Sequence, residues 1–565
     1  MYILGLWDGH DSGAALLEDD KIVFASNEER YTKRKLEIKF PYNSINAALS
    51  YAGIKPADVD AVAFPTTEFA KTLSRVFPQQ QEAYYKFRRR KMLRPRAEAL
   101  MHNAKYAMTG LGVLPLCGTI SKAVVADKLR RIGFEKFKLY GIDHHSAHAA
   151  ATAFTSGFKK SLVVTIDGLG DGLSGSVSVL EKGELERKHA VSARNSIGVF
   201  YEQVTNIVGM RELEDEGKVM AMACYSYPFP FEDNRLRDFF KVEGLDIIAK
   251  YSPIRQYDML GRIAWSMPRE QFSYMAQQLL EHVMVEFIGN AVSHYKIGSV
   301  AMGGGTLSNV KANMQVRGIE GLKEWSIFPH MGDGGIALGA AMQANYALNG
   351  VSAYDFDGAY LGDEFDETHV EQALRKEKWL SFERDTNKCS HAAELISDDD
   401  YVFWFQGRME YGPRALGNRS ILAKAGSDSV KEKLNMYVKQ REWYQPFAPS
   451  MLSEEAPRLL DEIKGRDKFM TMAYKVKPGK EGLLKSVIHI DNTARPQMVG
   501  DENPNYRGLL RNLVKLEGHG VVLNTSFNIH GMPIVLSPED AIGTMKKTKT
   551  KHMFIEGFYV ENKEA

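Results

Sequence analysis

The sequence predicts an α/β protein made of a duplicated larger part and a smaller α/β domain, and three observations predict it. First, an apolar strand from Tyr2 to Trp7 runs into Asp8-Gly9-His10-Asp11-Ser12-Gly13. A second apolar run, the polar turn Glu18-Asp19-Asp20 and another strand from Lys21 to Ser26 follow. Second, the same order returns from Leu162 to Leu180, with Asp167-Gly168-Leu169-Gly170-Asp171-Gly172 at the strand end and a turn at Lys182-Gly183. A repeat of that size implies two equivalent lobes facing each other across a cleft. Third, the texture after Asn349 becomes acidic and irregular, VSAYDFDGAYLGDEFDETHV, before a smaller α/β pattern begins. The expected organisation is a domain over residues 1–350, a linker over 351–395 and a second domain over 396–565.

Length and composition set the outer bounds. A chain of 565 residues exceeds one ordinary core. Its 72 basic residues balance 71 acidic ones, so no general affinity for polyanions follows. The local exception is RRRKMLRPR, Arg88 to Arg96, which is either a phosphate- or RNA-contacting run or a solvated helix face. Three cysteines far apart, Cys117, Cys224 and Cys389, imply a reducing compartment and no thiolate metal site. No basic leader precedes the first strand and no apolar run approaches membrane-spanning length, so a soluble cytoplasmic protein is expected, with no membrane partner.

The first lobe continues through the charged Glu28-Glu29-Arg30 and Lys33-Arg34-Lys35 to a helix from Asn43, its expected cap, to Ala52. Lys35 either reaches a phosphate at the first Asp-Gly turn or sits in a solvated turn. The stretch YGIDHHSAHAAATAFTSGF then reads as a helix capped by Asp143 and stopped near Gly157. Spacing of four places His144 and His148 on one helical face, with His145 pointing elsewhere. The strand that follows, Ser161 to Ile166, delivers Asp167 to its carboxyl end, where open α/β sheets hold ligands. Two imidazoles and a carboxylate suit iron, zinc or manganese better than magnesium or calcium. The same pair is also compatible with surface or cap histidines.

Ser196 opens the next helix, and Asp215-Glu216-Gly217-Lys218 offers a carboxylate, Glu216, either to a substrate hydroxyl or to solvent. Met275, Leu279, Val283 and Phe287 keep helical spacing and belong to a core. A strand from Ser299 to Met302 leads into Gly303-Gly304-Gly305-Thr306-Leu307-Ser308-Asn309, the order of residues that holds phosphate or adenosine at a helix start, although no P-loop motif occurs. His330-Met331-Gly332-Asp333 introduces the small-residue helix from Ile336, which makes Asp333 a fourth candidate ligand. In the smaller domain, a strand from Tyr401 to Phe405 runs into a turn bearing Arg408, Arg414 and Arg419, to which Arg441 and Arg495 are added. Val521 to Leu523 delivers Asn524, Thr525 and Ser526. Arginines so concentrated favour an anionic ligand, although each one is also compatible with a structural ion pair.

These residues carry a family resemblance. GLWDGHDSGAAL, EERYTKRK before Phe40-Pro41, DHHSAHAA, VVTIDG, DEGKVMAMA, MGGGTLSN, PHMGDGGIALGAA, FQGRMEYGPRALGNRSILA, REWYQPFAPSM, DNTARPQ and LNTSFNIHGMPIV together resemble the O-carbamoyltransferases that modify nodulation factors and antibiotics. The resemblance implies a duplicated actin-like ATPase fold, shared with tRNA threonylcarbamoyl-transfer proteins, and a YrdC-like carboxyl-terminal domain similar to threonylcarbamoyl-adenylate synthases. It also implies two steps. Carbamoyl phosphate and ATP, carried with Mg2+, give carbamoyl adenylate in the smaller domain, and a hydroxyl of a small-molecule acceptor takes the carbamoyl group in the larger.

By position, His144, His148, Asp167 and Asp333 would hold iron(II) or another divalent ion, and His10 would be the general base. Lys35, Gly168, Ser196, Thr306 and Asn309 would contact the adenylate. Arg408, Arg414, Arg441, Arg495, Asn524 and Ser526 would bind ATP or carbamoyl phosphate, with Arg414 acting in catalysis together with Lys35. Glu216 would face the acceptor. Two departures, Trp7-Asp8 in place of smaller residues and Cys224 in place of a proline or glycine, bear on the acceptor and not on the reaction class. The rival readings are a tRNA threonylcarbamoylation enzyme, disfavoured by the balanced charge, and a non-catalytic actin-like scaffold, which needs neither the histidine pair nor the arginines. For assembly, a symmetric homodimer is the commonest arrangement.

Overall fold

The computed structural model describes residues 1–90, 108, 112–439 and 442–565. They form two compact units, Met1–Glu28 with Leu36–Phe356, and Glu29–Lys35 with Asp357–Ala565.

The larger unit contains the duplication. In its first lobe, β1 (Tyr2–Trp7), β2 (Gly13–Glu18), β3 (Lys21–Asn27), β4 (Val59–Pro65) and β5 (Lys138–Ile142) lie in the order β3-β2-β1-β4-β5. β1 pairs antiparallel with β2, and β4 runs parallel to β1 and to β5. The second lobe repeats this with β6 (Lys160–Gly170), β7 (Leu173–Glu181), β8 (Glu184–Ser192), β9 (Ser299–Gly303) and β10 (Glu324–Ile327), in the order β8-β7-β6-β9-β10. Here β6 is antiparallel to β7, and β9 is parallel to β6 and to β10. Same order and same sense in both sheets define the duplicated actin-like architecture. The strands read as near-continuous apolar runs because helices cover their faces; Leu4, Leu6, Val62, Phe64, Val163 and Val164 are all buried.

Two helices join the lobes and set the site. His144–Phe154 and Ile336–Asn349 are built almost wholly from small and apolar residues, and they approach so closely that a Cβ on Gly339 would lie 1.9 Å from the Ala147 carbonyl oxygen. On its other side the second helix meets β1, where a Cβ on Gly5 would lie 1.9 Å from the Ala337 oxygen. Glycine is required at both contacts because the neighbouring atom is backbone, which cannot rotate away. This crossing brings the start of the histidine helix beside Asp333, which stands just before Ile336.

The remaining elements follow the sequence with local differences. The helix expected from Asn43 begins at Tyr42, and Asn43 is not its cap. Glu28 instead reaches over to accept from the Asn43 and Ser44 amides at 3.1 and 2.8 Å. After β9 the glycine run forms a short turn, Gly305–Ser308, and only then the helix Val310–Val316, capped by the Asn309 side chain.

The smaller unit is a mixed eight-stranded sheet flanked by helices. From edge to edge its strands are Leu380–Arg384, Phe558–Asn562, His552–Ile555, Val402–Phe405, Arg419–Lys424, Val521–Ser526, Ala448–Leu452 and Gln497–Val499. Residues within 351–395, expected as a linker, carry the helix Glu367–Arg375 and the edge strand Leu380–Arg384, which pairs along its length with Phe558–Asn562. That pairing makes them part of this unit's sheet. The segment Glu29–Lys35 also belongs here, with Tyr31 Oη donating to Asp363 at 2.6 Å and Arg30 to the Gly412 carbonyl at 2.9 Å.

Candidate active site and metal centre

In the larger unit His144, His148, Asp167 and Asp333 present ligand atoms that all lie within 4.8 Å of one another, and all four residues are buried. Each arrives for a local reason. Asp143 caps the histidine helix by accepting from the Ser146 amide at 2.8 Å, which fixes the first turn and with it the face shared by His144 and His148. Asp167 sits where the register of β6 against β7 shifts, between Ile166 and Gly170, a bulge that turns its carboxylate off the sheet. Its Oδ1 accepts from the Gly305 amide at 2.6 Å, and a Cβ on Gly304 (φ +96°) would lie 2.3 Å from the Ile166 oxygen, so the glycine run packs directly against this strand end.

The polar atoms converge on one point. His144 Nε2 lies 3.3 Å from Asp167 Oδ2 and 3.5 Å from Asp333 Oδ1, and His148 Nε2 lies 3.6 Å from the same Asp333 oxygen. Burial opposes charge on His144, yet Asp333 and Asp167 outweigh it and lift the imidazole to about 10. Asp167 is held well below the carboxylate range because its hydrogen bond to His144 and the charge of His148 overcome burial. These carboxylates demand a positive charge between them. His148 Nε2 is moreover buried with no hydrogen-bond partner. An orphaned imidazole nitrogen aimed at two carboxylates is what a divalent first-row metal would satisfy, so the four residues fit such an ion. His145 is separate, as its spacing implied. Burial, with His144 beside it, pushes it down to about 3, and its Nδ1 lies 2.8 Å from Thr165 Oγ1.

His10 stands next to this centre. Its Nδ1 lies 3.4 Å from Asp333 Oδ2, the oxygen turned away from the two histidines, and 3.4 Å from Tyr85 Oη. The loop that carries it is braced by Trp7, whose indole N-H donates to the His10 carbonyl at 2.8 Å and whose ring meets His144 edge-on at 6.2 Å between centroids. The bulky Trp7-Asp8 pair is therefore structural in part: Asp8 is buried and bound to Lys71 and Arg75.

Ser196 and Gly168 lie together beside Asp167. Ser196 Oγ caps its helix, accepting from Val199 N at 3.0 Å, and donates to the Gly168 carbonyl. Thr306 Oγ1 is buried without a hydrogen-bond partner among the described residues. Asn309 is already engaged. It caps Val310–Val316 and exchanges two amide hydrogen bonds with Gln277, at 2.9 and 3.0 Å. Glu216 heads its helix and accepts from Leu213 N at 2.7 Å; burial, with Glu202 and Glu212 nearby, pushes its carboxyl up to about 8. Lys35 belongs to the segment counted with the smaller unit.

The start of the basic run, Arg88 and Arg89, reads differently from either expectation. Arg88 is buried and bridges two carboxylates, Glu212 at 2.6 Å and Glu202, while Arg89 and Arg90 donate to the carbonyls of Leu36 and Asn206. Arg88 and Arg89 face inward, with Glu202, Glu212 and Glu214 as counter-charges, whereas Arg90 is exposed. The rest of the run, from Lys91 to Arg96, lies outside the described residues.

The smaller unit holds a pocket of about 120 Å³ lined by Arg414, Arg495, Asn524, Thr525 and Ser526, with Pro446, Phe447 and Met470 on its apolar side. Arg414 is driven down to about 10 by burial alone, with no hydrogen bond or ion pair among the described residues. A desolvated guanidinium without a carboxylate asks for an anion. Two other arginines are not in this lining. Arg408 donates to the carbonyls of Leu361 and Gly362, and Arg419 is fully buried, bound to the carbonyls of Gln406, Gly407 and Asn418 and stacked over Phe405 at 3.5 Å. Arg441 lies outside the described residues. Lys439, which the sequence reading missed, is buried with its ammonium on neutral oxygens, Asn528 Oδ1 at 2.7 Å and Ser526 Oγ at 3.2 Å, beside the pocket.

A duplicated actin-like unit thus carries four buried side chains that could hold a metal ion, and the α/β unit that follows carries a pocket lined by two arginines. The chain belongs to the carbamoyltransferase family: residues 2–342 match the carbamoyltransferase N-terminus and residues 393–562 the carbamoyltransferase C-terminus. It is similar to nodulation protein NolNO of Sinorhizobium fredii, 30% identical over 98% of this chain and 79% of that one. It is also similar to the 3'-hydroxymethylcephem-O-carbamoyltransferase of Streptomyces clavuligerus, 31% identical over 57% of this chain and 60% of that one. Protein MJ1058 of Methanocaldococcus jannaschii is 35% identical over 79% of this chain and 77% of its own. Among solved structures, T. kodakarensis HypF superposes with a TM-score of 0.35 at 13% identity, covering 62% of this chain and 48% of that one. The fold assignment rests on the sheet order given above. The protein is thus an enzyme, a carbamoyltransferase, and among the described residues no helix is long and apolar enough to cross a membrane.

Proposed function

We propose that the protein is an ATP-dependent O-carbamoyltransferase. In the smaller unit, carbamoyl phosphate, ATP and a water give carbamoyl adenylate, phosphate and pyrophosphate. In the larger unit, a hydroxyl of a small sugar-like or natural-product acceptor attacks the carbamoyl carbon and AMP leaves. The printed name of the cephem relative is that of an O-carbamoyltransferase, which supports the oxygen acceptor.

The observation that carries the reading is the arrangement around Asp333, one of whose oxygens faces His144 and His148 and the other His10. Asp333 accepting from His10 Nδ1 leaves Nε2 as the basic nitrogen, which takes the proton of the attacking hydroxyl. A divalent ion held by His144, His148, Asp167 and Asp333, with iron(II) the first candidate, would supply Lewis acidity at the carbamoyl carbonyl. Thr306 Oγ1 and the backbone at Gly168 would contact the adenylate. In the smaller unit Arg414 and Arg495 neutralise phosphate charge as it shifts.

Arg88 and Arg89, buried on acidic partners, are two basic side chains fewer for the surface a tRNA enzyme would use. Incubation with iron(II), Mg2+, ATP and carbamoyl phosphate under reducing conditions should release pyrophosphate, and Arg414→Ala should abolish this while the chain stays folded. Absence of turnover dependent on carbamoyl phosphate would favour the scaffold reading instead. Mass spectrometry of a metabolite extract for products gaining a carbamoyl group would then identify the acceptor.

A further inference from the structure

Just after β4 the chain enters a turn at Thr66, Thr67 and Glu68 that is latched to His144 in two ways. Asp171 Oδ1 accepts from the Thr67 and Glu68 amides at 3.0 and 2.9 Å, and its Oδ2 accepts from the backbone amide of His144 at 2.8 Å. The ring of His144 meets the same turn, its Nδ1 lying 2.9 Å from Thr66 Oγ1 in a fully buried contact. Gly170 closes the other side, where a Cβ would lie 2.3 Å from His144 Cγ.

Thr66 holds this position at a cost. Its φ of +68° is the left-handed region, which a β-branched residue avoids. Surrounding groups fix it there: its amide donates to the Ile142 carbonyl at 2.9 Å, and its own carbonyl accepts from Arg75 Nη1 at 2.6 Å. Arg75 is in turn spread over the buried Asp8 carboxylate, at 3.1 Å through Nε and 3.1 Å through Nη2, with Ser121 and the Pro65 carbonyl taking further donors. A chain of buried polar contacts therefore runs from Asp8 through Arg75 and Thr66 to the imidazole of His144.

We propose that Thr66 is a positioning residue of the metal centre. Its hydroxyl oxygen accepts the Nδ1 proton of His144, so that Nε2 faces Asp167 and Asp333 as the ligand nitrogen, and the strained turn sets the ring plane. Outer partners of this kind fix the tautomer and orientation of a ligating imidazole. The inference rests on the metal reading above.

The test is metal affinity of the full chain, stripped and titrated with Zn2+ in competition with a chromophoric chelator, which needs no turnover. Thr66→Val keeps shape and β-branching and removes only the hydroxyl, so it should bind about 10–100-fold more weakly. Thr66→Ser, which restores the hydroxyl, should bind within about threefold of the unmodified chain on the same scale. Thr66→Ala reads the same loss should the valine variant not fold. His148→Ala, the comparator, should lose the site. Unchanged binding in Thr66→Val and Thr66→Ala beside a lost site in His148→Ala would overturn the proposal alone. Weak binding in Thr66→Ser equal to that in Thr66→Val would also overturn it, by assigning the effect to packing. Tight binding in His148→Ala would overturn the metal reading and the proposal together.

Discussion

Asp8 and Asp167 occupy equivalent places, each at the end of the first strand of its lobe and each followed by glycine, yet they have opposite surroundings. Asp8 is buried against Lys71 at 3.0 Å and Arg75 at 3.1 Å, so its lobe supplies its own cations. Those charges outweigh burial and hold its carboxyl below the ordinary range, while burial pushes Lys71 down to about 8. Asp167 meets two imidazoles and a second carboxylate, Asp333, and no lysine or arginine is among the groups that govern its charge. One copy of the duplicated turn has become a structural ion pair, and the other lies in a cluster that, on the proposed reading, an ion completes. Duplication supplied the position, and the neighbours decided the chemistry.

Changing each aspartate to asparagine should separate the two roles. Asp167→Asn should weaken divalent metal binding about a thousandfold, about 4 kcal/mol. Asp8→Asn should instead lower stability by about 3–5 kcal/mol in denaturant titration because Lys71 and Arg75 are left buried without their anion. Equal metal loss in both variants would mean that the lobes are not divided as described. A smaller effect is expected at Arg88, which neutralises Glu202 and Glu212 in the second lobe: Arg88→Ala should cost about 3 kcal/mol, measured in the same way. A variant that instead changed RNA retention and left stability intact would restore the surface reading of the basic run.

The sequence made the four clustered residues, His144, His148, Asp167 and Asp333, legible because each obeys a local rule. Two histidines four apart on a capped helix share a face, a strand end exposes Asp167, and a loop before a small-residue helix exposes Asp333. The fold was legible for the same reason, since the repeated strand and Asp-Gly pattern is local. What the sequence hid depends on distant partners. Arg88 looks like part of a basic patch until Glu202 and Glu212, more than a hundred positions away, are seen to enclose it. Lys439 has no motif of its own and gains meaning from Ser526 and Asn528. Thr66 is one threonine among many until its backbone angle and His144 are known.

Lys439 sharpens the contrast between the two units, one pocket asking for a cation and the other for an anion. Lys439→Met should raise the concentration of carbamoyl phosphate or ATP needed for half-maximal pyrophosphate release about tenfold or more, the loss of a charge-assisted hydrogen bond of about 1.5–3 kcal/mol, with metal binding untouched. The smallest effect is expected at Glu216. Its carboxyl, raised from 4.5 to about 8 by burial and by Glu202, contributes stability that is fully present below about pH 4.5 and is lost as pH rises through about 8. Glu216→Gln, which stays neutral, should melt with the unmodified protein at pH 4.5 and a few degrees above it at pH 9, about 2–4 °C on the scale of a domain this size. Coincident melting at both pH values would place Glu216 in an ordinary solvated setting.

The division of labour between the two units is tested most directly by exchange of labelled pyrophosphate into ATP in the presence of carbamoyl phosphate, comparing Arg414→Ala with His144→Ala. Exchange lost in Arg414→Ala and kept in His144→Ala, with carbamoyl transfer lost in both, is the result predicted. Exchange surviving in Arg414→Ala, or vanishing in His144→Ala, would contradict an adenylate made in the cationic pocket and spent at the metal centre.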